Sequence, residues 1–204
     1  AIRAQLGSTA WLAVRSSSAT EDTETTAAAG AFRTELGVAF EQLSDAVIRV
    51  SESLPLNGGP HGLVIQPMVA DAVASGVLFT HPNRCAVALA PGLCAHVVNG
   101  YPVEERGFYP SGGTWYTRPD DRRNLECLRM NPETAEFRTD PAGPSPWTPA
   151  LHKALHQTYH DLERHFGRPM DAEWTWDGRN LTLLQARPVT ADWHHEPWLL
   201  DNSN

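Results

Sequence analysis

The chain has 204 residues, 41% of them hydrophobic, and a formal net charge of −8. That is apolar material for one large core or two small ones, and it excludes wholesale disorder. No apolar run approaches the roughly 18–20 residues of a membrane span, no basic-then-apolar pattern near Ala1 marks a signal peptide, and the negative charge argues against a nonspecific binder of nucleic acid or anionic membranes.

Residues 10–15 predict a short buried strand ending at Arg15, and the polar stretch 16–26 a loop. Small residues crowd from Ala27 to Ala31 around Gly30. Phe40, Leu43, Val47, Val50 and Leu54 recur at helical spacing, which predicts an amphipathic helix over 38–54, stopped by Asn57-Gly58-Gly59-Pro60. Residues 62–69, 73–80 and 85–90 read as strands. The stretch 100–147, rich in Pro, Gly, Arg and Asp, offers only weak strand signals near 107–109 and 113–118. A second long helix runs from Thr148 to Phe166, with Thr148 as N-cap, Pro149 at the first helical position and Gly167 at the end. Residues 170–176 and 180–187 form a hairpin around Asp177-Gly178, and the tail from Asp192 has no periodicity. Mixed helices and strands without an internal repeat predict an α+β fold.

Several of these residues carry chemistry. Glu173, Gln185 and Arg187 interrupt strands that otherwise look buried, and buried charge is costly unless paired or bound. Two readings stand: a structural Glu173–Arg187 ion pair, or an anion–metal site. In the second, Glu173 and the Gln185 amide give oxygens to magnesium while Arg187 holds a phosphate. Strand alternation puts Gln185 and Arg187 on one face, and a three-residue loop, Asp177-Gly178-Arg179, would bring Glu173 to it; a two-residue turn would not. Arg15 with the Ser/Thr-rich loop leading to Gly30 has the parts of a phosphate cradle, or is a solvated surface loop. The cations are fifteen arginines and one lysine, Lys153, so any anion site rests on arginine, backbone amides or metal. His152, His156 and His160 run at i, i+4, i+8; without a Glu after the first, they read as the polar border of an apolar face rather than a zinc motif. Cys85, Cys94 and Cys127 fit no zinc spacing and point to buried thiols in a reduced, cytoplasmic protein.

Taken in order, with the two closing segments counted as one, five motifs resemble the nucleotide-binding domain of the pyruvate phosphate dikinase and phosphoenolpyruvate synthase family. Ala13-Val14-Arg15-Ser16-Ser17-Ser18-Ala19-Thr20-Glu21-Asp22 is similar to its A-V-R-S-S-A-x-x-E-D signature, and Ala29-Gly30 with Thr34 to A-G-x-x-x-T. Val64-Ile65-Gln66-Pro67-Met68-Val69 and Ser75-Gly76-Val77-Leu78-Phe79-Thr80 resemble V-Q-x-M-V and S-G-V-x-F-T. Asp171-Ala172-Glu173-Trp174 and Leu184-Gln185-Ala186-Arg187-Pro188 resemble the closing D-I-E-W and L-Q-x-R-P, and His165 to Pro169 is similar to rifampicin phosphotransferases of the same family.

The resemblance implies an ATP-grasp fold that binds ATP and magnesium. Its usual chemistry passes the β-phosphoryl of ATP to a histidine on a swivelling domain, leaving AMP and phosphate. By matching position, Arg15 and Arg187 would bind phosphates as the catalytic cations, Gly30 and Thr34 would line the phosphate loop, and Gln66 would lie beside the adenine. Glu173 and Gln185 would carry Mg2+. The expected organisation is a nucleotide-binding unit over 1–192, with a phosphate-loop part at 1–60, a sheet-rich part at 61–192 and a tail at 193–204. The family's N-terminal portion, with a lysine that reaches ATP, is expected to be lacking, and Ala1 suggests a processed or excised chain. The G-L-G-E acid is replaced at Ala95. The expected function is the ATP-binding part of a phosphotransferase whose histidine carrier domain, partner chain or small-molecule acceptor is supplied elsewhere. The alternatives are a module that binds nucleotide without turnover, and a direct small-molecule kinase or ligase-like enzyme.

Overall fold

The computed structural model describes residues 11–18, 33–54, 61–82, 84–101, 103–108, 115–117 and 125–189. The small-residue cluster at 27–31, the helix stop at 57–60 and the tail from Asp192 lie outside the described residues. The chain divides into two units, Ala1–Ala70 with Asn131–Glu136, and Asp71–Met130 with Phe137–Asn204.

In the first unit, strand β1 (Leu12–Ser18) lies between β2 (Thr34–Val38) and β3 (His61–Pro67) in an antiparallel sheet. Leu12 and Val14 alternate onto one face, where they pack with Val38 and with Leu43, Ala46 and Val50 of helix α1 (Leu43–Glu52). The helix expected over 38–54 therefore begins late. Val38 is held in the sheet opposite Leu12, and a 3-10 turn at Phe40–Gln42 leads into α1, whose N-cap has no side-chain hydrogen bond. Arg49 of α1 donates through Nε and Nη2 to the two oxygens of Glu35 on β2, at 2.8 and 2.6 Å. Arg33 reaches the same carboxylate at 2.9 Å. The Arg49 bond holds the Glu35 carboxyl below the usual carboxylate range.

The second unit is built on an antiparallel sheet. Its chain-order elements are β4 (Ala74–His81), β5 (Arg84–Pro91), α2 (Ala95–Val98), β6 (Glu104–Phe108), β7 (Trp115–Thr117), the hairpin β8 (Glu126–Met130) and β9 (Phe137–Pro141), α3 (Pro149–Phe166), β10 (Met170–Trp176) and β11 (Leu181–Pro188). The sheet runs β11-β10-β4-β5-β6-β7. Leu151, Leu155, Tyr159 and Leu162 recur along α3 and close over Leu78, Cys85, Val87, Leu89, Ala172, Trp174 and Trp176 on one face of the sheet. The ends of α3 are those its sequence predicts. Thr148 Oγ1 accepts the Leu151 amide at 3.2 Å, Pro149 opens the helix, and Gly167 ends it at φ 63°. The Tyr159 hydroxyl ties the helix to the end of β4 by donating to the His81 carbonyl at 2.7 Å.

The Ser75-Gly76 pair is structural. A Cβ at Gly76 would meet the Ala88 carbonyl and the Trp174 ring, so Trp174 covers this position only because glycine leaves it bare. Ser75 faces the other way, buried, and donates to the Gly92 carbonyl at 2.6 Å. The sequence does not predict the β8–β9 hairpin. Its strands carry Arg129, Arg138 and Phe137 on exposed positions, so no clean apolar alternation marks it.

Candidate functional site

In the first unit the face of β1 away from α1 carries Arg15. Residues directly opposite in an antiparallel pair share a face. Arg15 lies opposite Thr34 on β2 and Val64 on β3, and Ala13 lies opposite Gln66. Three residues singled out from the sequence, Arg15, Thr34 and Gln66, thus share one side of this sheet. Thr34 opens strand β2 and its side chain is exposed; Arg15 and Gln66 are half-buried. Gly30 lies outside the described residues. Ser16, by contrast, is buried toward the α1 side, where its amide and hydroxyl reach the Arg33 carbonyl at 3.2 and 3.4 Å.

In the second unit the site residues sit on β10 and β11. Ala172 and Trp174 point toward α3, so Asp171 and Glu173 point to the opposite face. The loop joining the two strands differs from the expected three residues. Trp176 pairs with Leu181, leaving four residues, Asp177 to Asn180, in the loop. Asp177 explains the width: its Oδ1 accepts the Arg179 and Asn180 amides at 2.7 and 2.6 Å, and Gly178 takes φ 98°. These amides hold the Asp177 carboxyl below its usual range.

An even loop with regular pairing would set Glu173 opposite Leu184 and send Gln185 to the wrong face. The register instead shifts between Glu173 and Trp174: Trp174 pairs with Leu183, and Glu173 with Gln185. Leu184 is the extra residue of a bulge. Beyond it Asp171 pairs with Arg187, so Asp171, Glu173, Gln185 and Arg187 form two adjacent cross-strand pairs on one face. The juxtaposition expected from the sequence is present, produced by a different device.

Arg187 Nε donates to Asp171 Oδ2 at 2.9 Å. Asp171 is the residue sequence reasoning passed over as a site member. Its signal was the i, i+2 spacing from Glu173, which on a strand means a shared face. The arrangement has the parts for holding a phosphorylated ligand with a hard cation: carboxylate and amide oxygens beside a guanidinium oriented by a carboxylate. Among the described residues no three His, Cys, Asp or Glu side chains converge on a point that could hold a metal. Magnesium does not require such a cage, because it keeps waters and takes substrate phosphate oxygens beside one or two protein oxygens.

The model of the family described as "Pyruvate phosphate dikinase, AMP/ATP-binding domain" matches residues 60–197, more than half of the chain. The chain belongs to that family. A 30-residue stretch is also 47% identical to a protein of Methanocaldococcus jannaschii described as "Probable phosphoenolpyruvate synthase". That stretch covers 15% of this chain and 2% of the archaeal protein. The family match contains β10, β11 and all four residues of the paired cluster. No helix among the described residues is long and apolar enough to cross a membrane.

Proposed function

We propose that this domain is the ATP-binding part of a phosphoenolpyruvate synthase-like phosphotransferase with an ATP-grasp fold. It binds Mg-ATP and passes a phosphoryl group toward a histidine carrier domain or small-molecule acceptor supplied elsewhere. The observation that carries this reading is the bulged hairpin, which sets Glu173 beside Gln185 and Asp171 beside Arg187 on one face. Arg187 binds phosphate, with Asp171 aligning its guanidinium, and Glu173 and Gln185 give the oxygens for magnesium. Arg15 and Thr34 serve as further phosphate contacts, Gly30 as part of the phosphate loop, and Gln66 as the adenine contact. Phosphoryl transfer asks mainly for positioning and charge neutralisation, which these residue types supply. The nucleotide-binding unit is assigned to residues 1–192 of this sequence, with 193–204 outside it. A cytoplasmic setting accords with three buried cysteines, none of them in a disulfide.

Calorimetry of ATP binding with and without magnesium tests the reading. Tighter binding with magnesium, lost in Glu173→Gln, is the expected result. No heat at millimolar ATP in either condition would overturn it. A module that binds nucleotide without turnover is the second reading, favoured by Ala95 standing where the family carries an acid. Supplying a carrier domain and β-labelled ATP separates the two: label on the carrier histidine supports transfer, and binding without label supports the module.

A further inference from the structure

The three histidines of α3 lie outside the cluster on β10 and β11, and nothing in the nucleotide reading uses them. They border the buried stripe Leu151, Leu155, Tyr159 and Leu162, and all three are half-buried. Two of them meet. The rings of His156 and His160 stand 4.6 Å apart between centroids, edge to face. His152, one turn earlier, is turned toward Trp147, with ring centroids 6.1 Å apart.

We propose that His156 and His160 form a binding site for one borderline transition-metal ion, with Cu2+ bound tightest and Zn2+ and Ni2+ more weakly. Side chains four apart on a helix project from the same face one turn apart, so two imidazole nitrogens can reach a common ion. The helix that carries them is rigid over this stretch, because the adjacent Leu155, Tyr159 and Leu162 are locked in the core and the Tyr159 hydroxyl is bonded to His81.

The ligand form of histidine is the neutral imidazole, and two rings one turn apart on the same face of a helix can share a metal ion. Asp161, the next residue after His160, is engaged by Gln157 at 3.0 Å and Arg164 at 2.8 Å, and Glu163 stands one turn beyond His160 on the same face of the helix. With two imidazoles as its defining ligands, the site by ligand type and the order of divalent affinities favours Cu2+ over Zn2+ and does not suit magnesium. The sequence here reads His-Gln-Thr-Tyr-His, with no glutamate placed as the general base of a metallohydrolase, so the site is assigned to binding and not to hydrolysis.

Titration of the full chain with Cu2+ alone, followed by calorimetry and by the electron paramagnetic resonance spectrum of the bound ion, tests this. One ion per chain with nitrogen hyperfine structure is expected, and at least a tenfold loss of affinity in His156→Ala and in His160→Ala. His165→Ala, at an exposed position near the end of the same helix, should bind as the parent does. Alanine is the best helix former, so these variants keep α3; a thermal midpoint measured without metal verifies it. The proposal is overturned if the parent binds no ion, or if either His156→Ala or His160→Ala binds Cu2+ as tightly as the parent.

Discussion

Gly92→Ala exposes how the second unit locks the segment after β5. Gly92 takes φ +84°, and a Cβ there would run into the Leu128 carbonyl oxygen of β8 and lie 3.0 Å from Cys127 Sγ. The left-handed conformation alone costs a non-glycine residue about 1–2 kcal/mol. Relieving the clash requires the 92–93 backbone to move. That loosens the Gly92 amide bond to the Val73 carbonyl at 3.0 Å, the Leu93 amide bond to Leu128 at 2.9 Å and the Ser75 hydroxyl bond to Gly92 at 2.6 Å. Losing two of these at about 1 kcal/mol each brings the total to about 3–4 kcal/mol. Gly100→Ala is the control: it shares the positive φ, at +76°, but nothing lies within 4 Å of the added carbon. Its cost should stop at about 1–2 kcal/mol. Urea unfolding followed by tryptophan fluorescence reads the difference, since Trp174 and Trp176 are buried in the core of the same unit. Equal destabilisation by the two variants would refute the claim that close approach to β8, rather than backbone strain alone, makes glycine necessary at 92.

His96→Phe should flatten the loss of stability on acidification. His96 is 3% exposed and stacks on Tyr101, and burial lowers it despite the Glu126 carboxylate 3.8 Å away. The unfolded chain then binds the proton more readily, so stability falls as pH drops below the ordinary histidine value of 6.5. Urea midpoints between pH 7.5 and 5.5 with the same slope in parent and variant would contradict this. Ala135→Gly should stabilise by about 1 kcal/mol, because Ala135 sits at φ 60° in the turn after β8; a lowered thermal midpoint would count against it. Glu35→Gln should destabilise the first unit at neutral pH but not near pH 2. The lowered Glu35 contributes stability that is present above the ordinary carboxylate range and is lost as pH falls through its folded value. An unchanged difference between parent and variant across that range, read by circular dichroism, would exclude the proposed role. Deleting Leu184 should leave magnesium-dependent ATP binding in place. A regular ladder then still sets Gln185 opposite Glu173, and loss of binding in a folded variant would show that the bulge does more than set register.

The local patterns determined the elements that sit within one stretch of chain. Thr148-Pro149 and Gly167 frame α3 because cap chemistry acts within one turn, and its four-residue apolar spacing needs no partner to be read. The alternation through Asp171-Ala172-Glu173-Trp174 likewise states which side chains oppose which. Tertiary pairing decided the rest. Val38 reads as the first residue of a helix, yet it ends a strand, because pairing with β1 places it opposite Leu12. The cluster on β10 and β11 depends on pairing in the same way. β10 is held in an unbroken register against β4, Glu173 opposite Val77, while β11 is an edge strand with one neighbour. A four-residue loop puts the hairpin out of phase by one residue, and only the strand free on its other side can absorb it. The bulge therefore falls at Leu184 in β11, and it alone returns Gln185 and Arg187 to the face of Glu173 and Asp171.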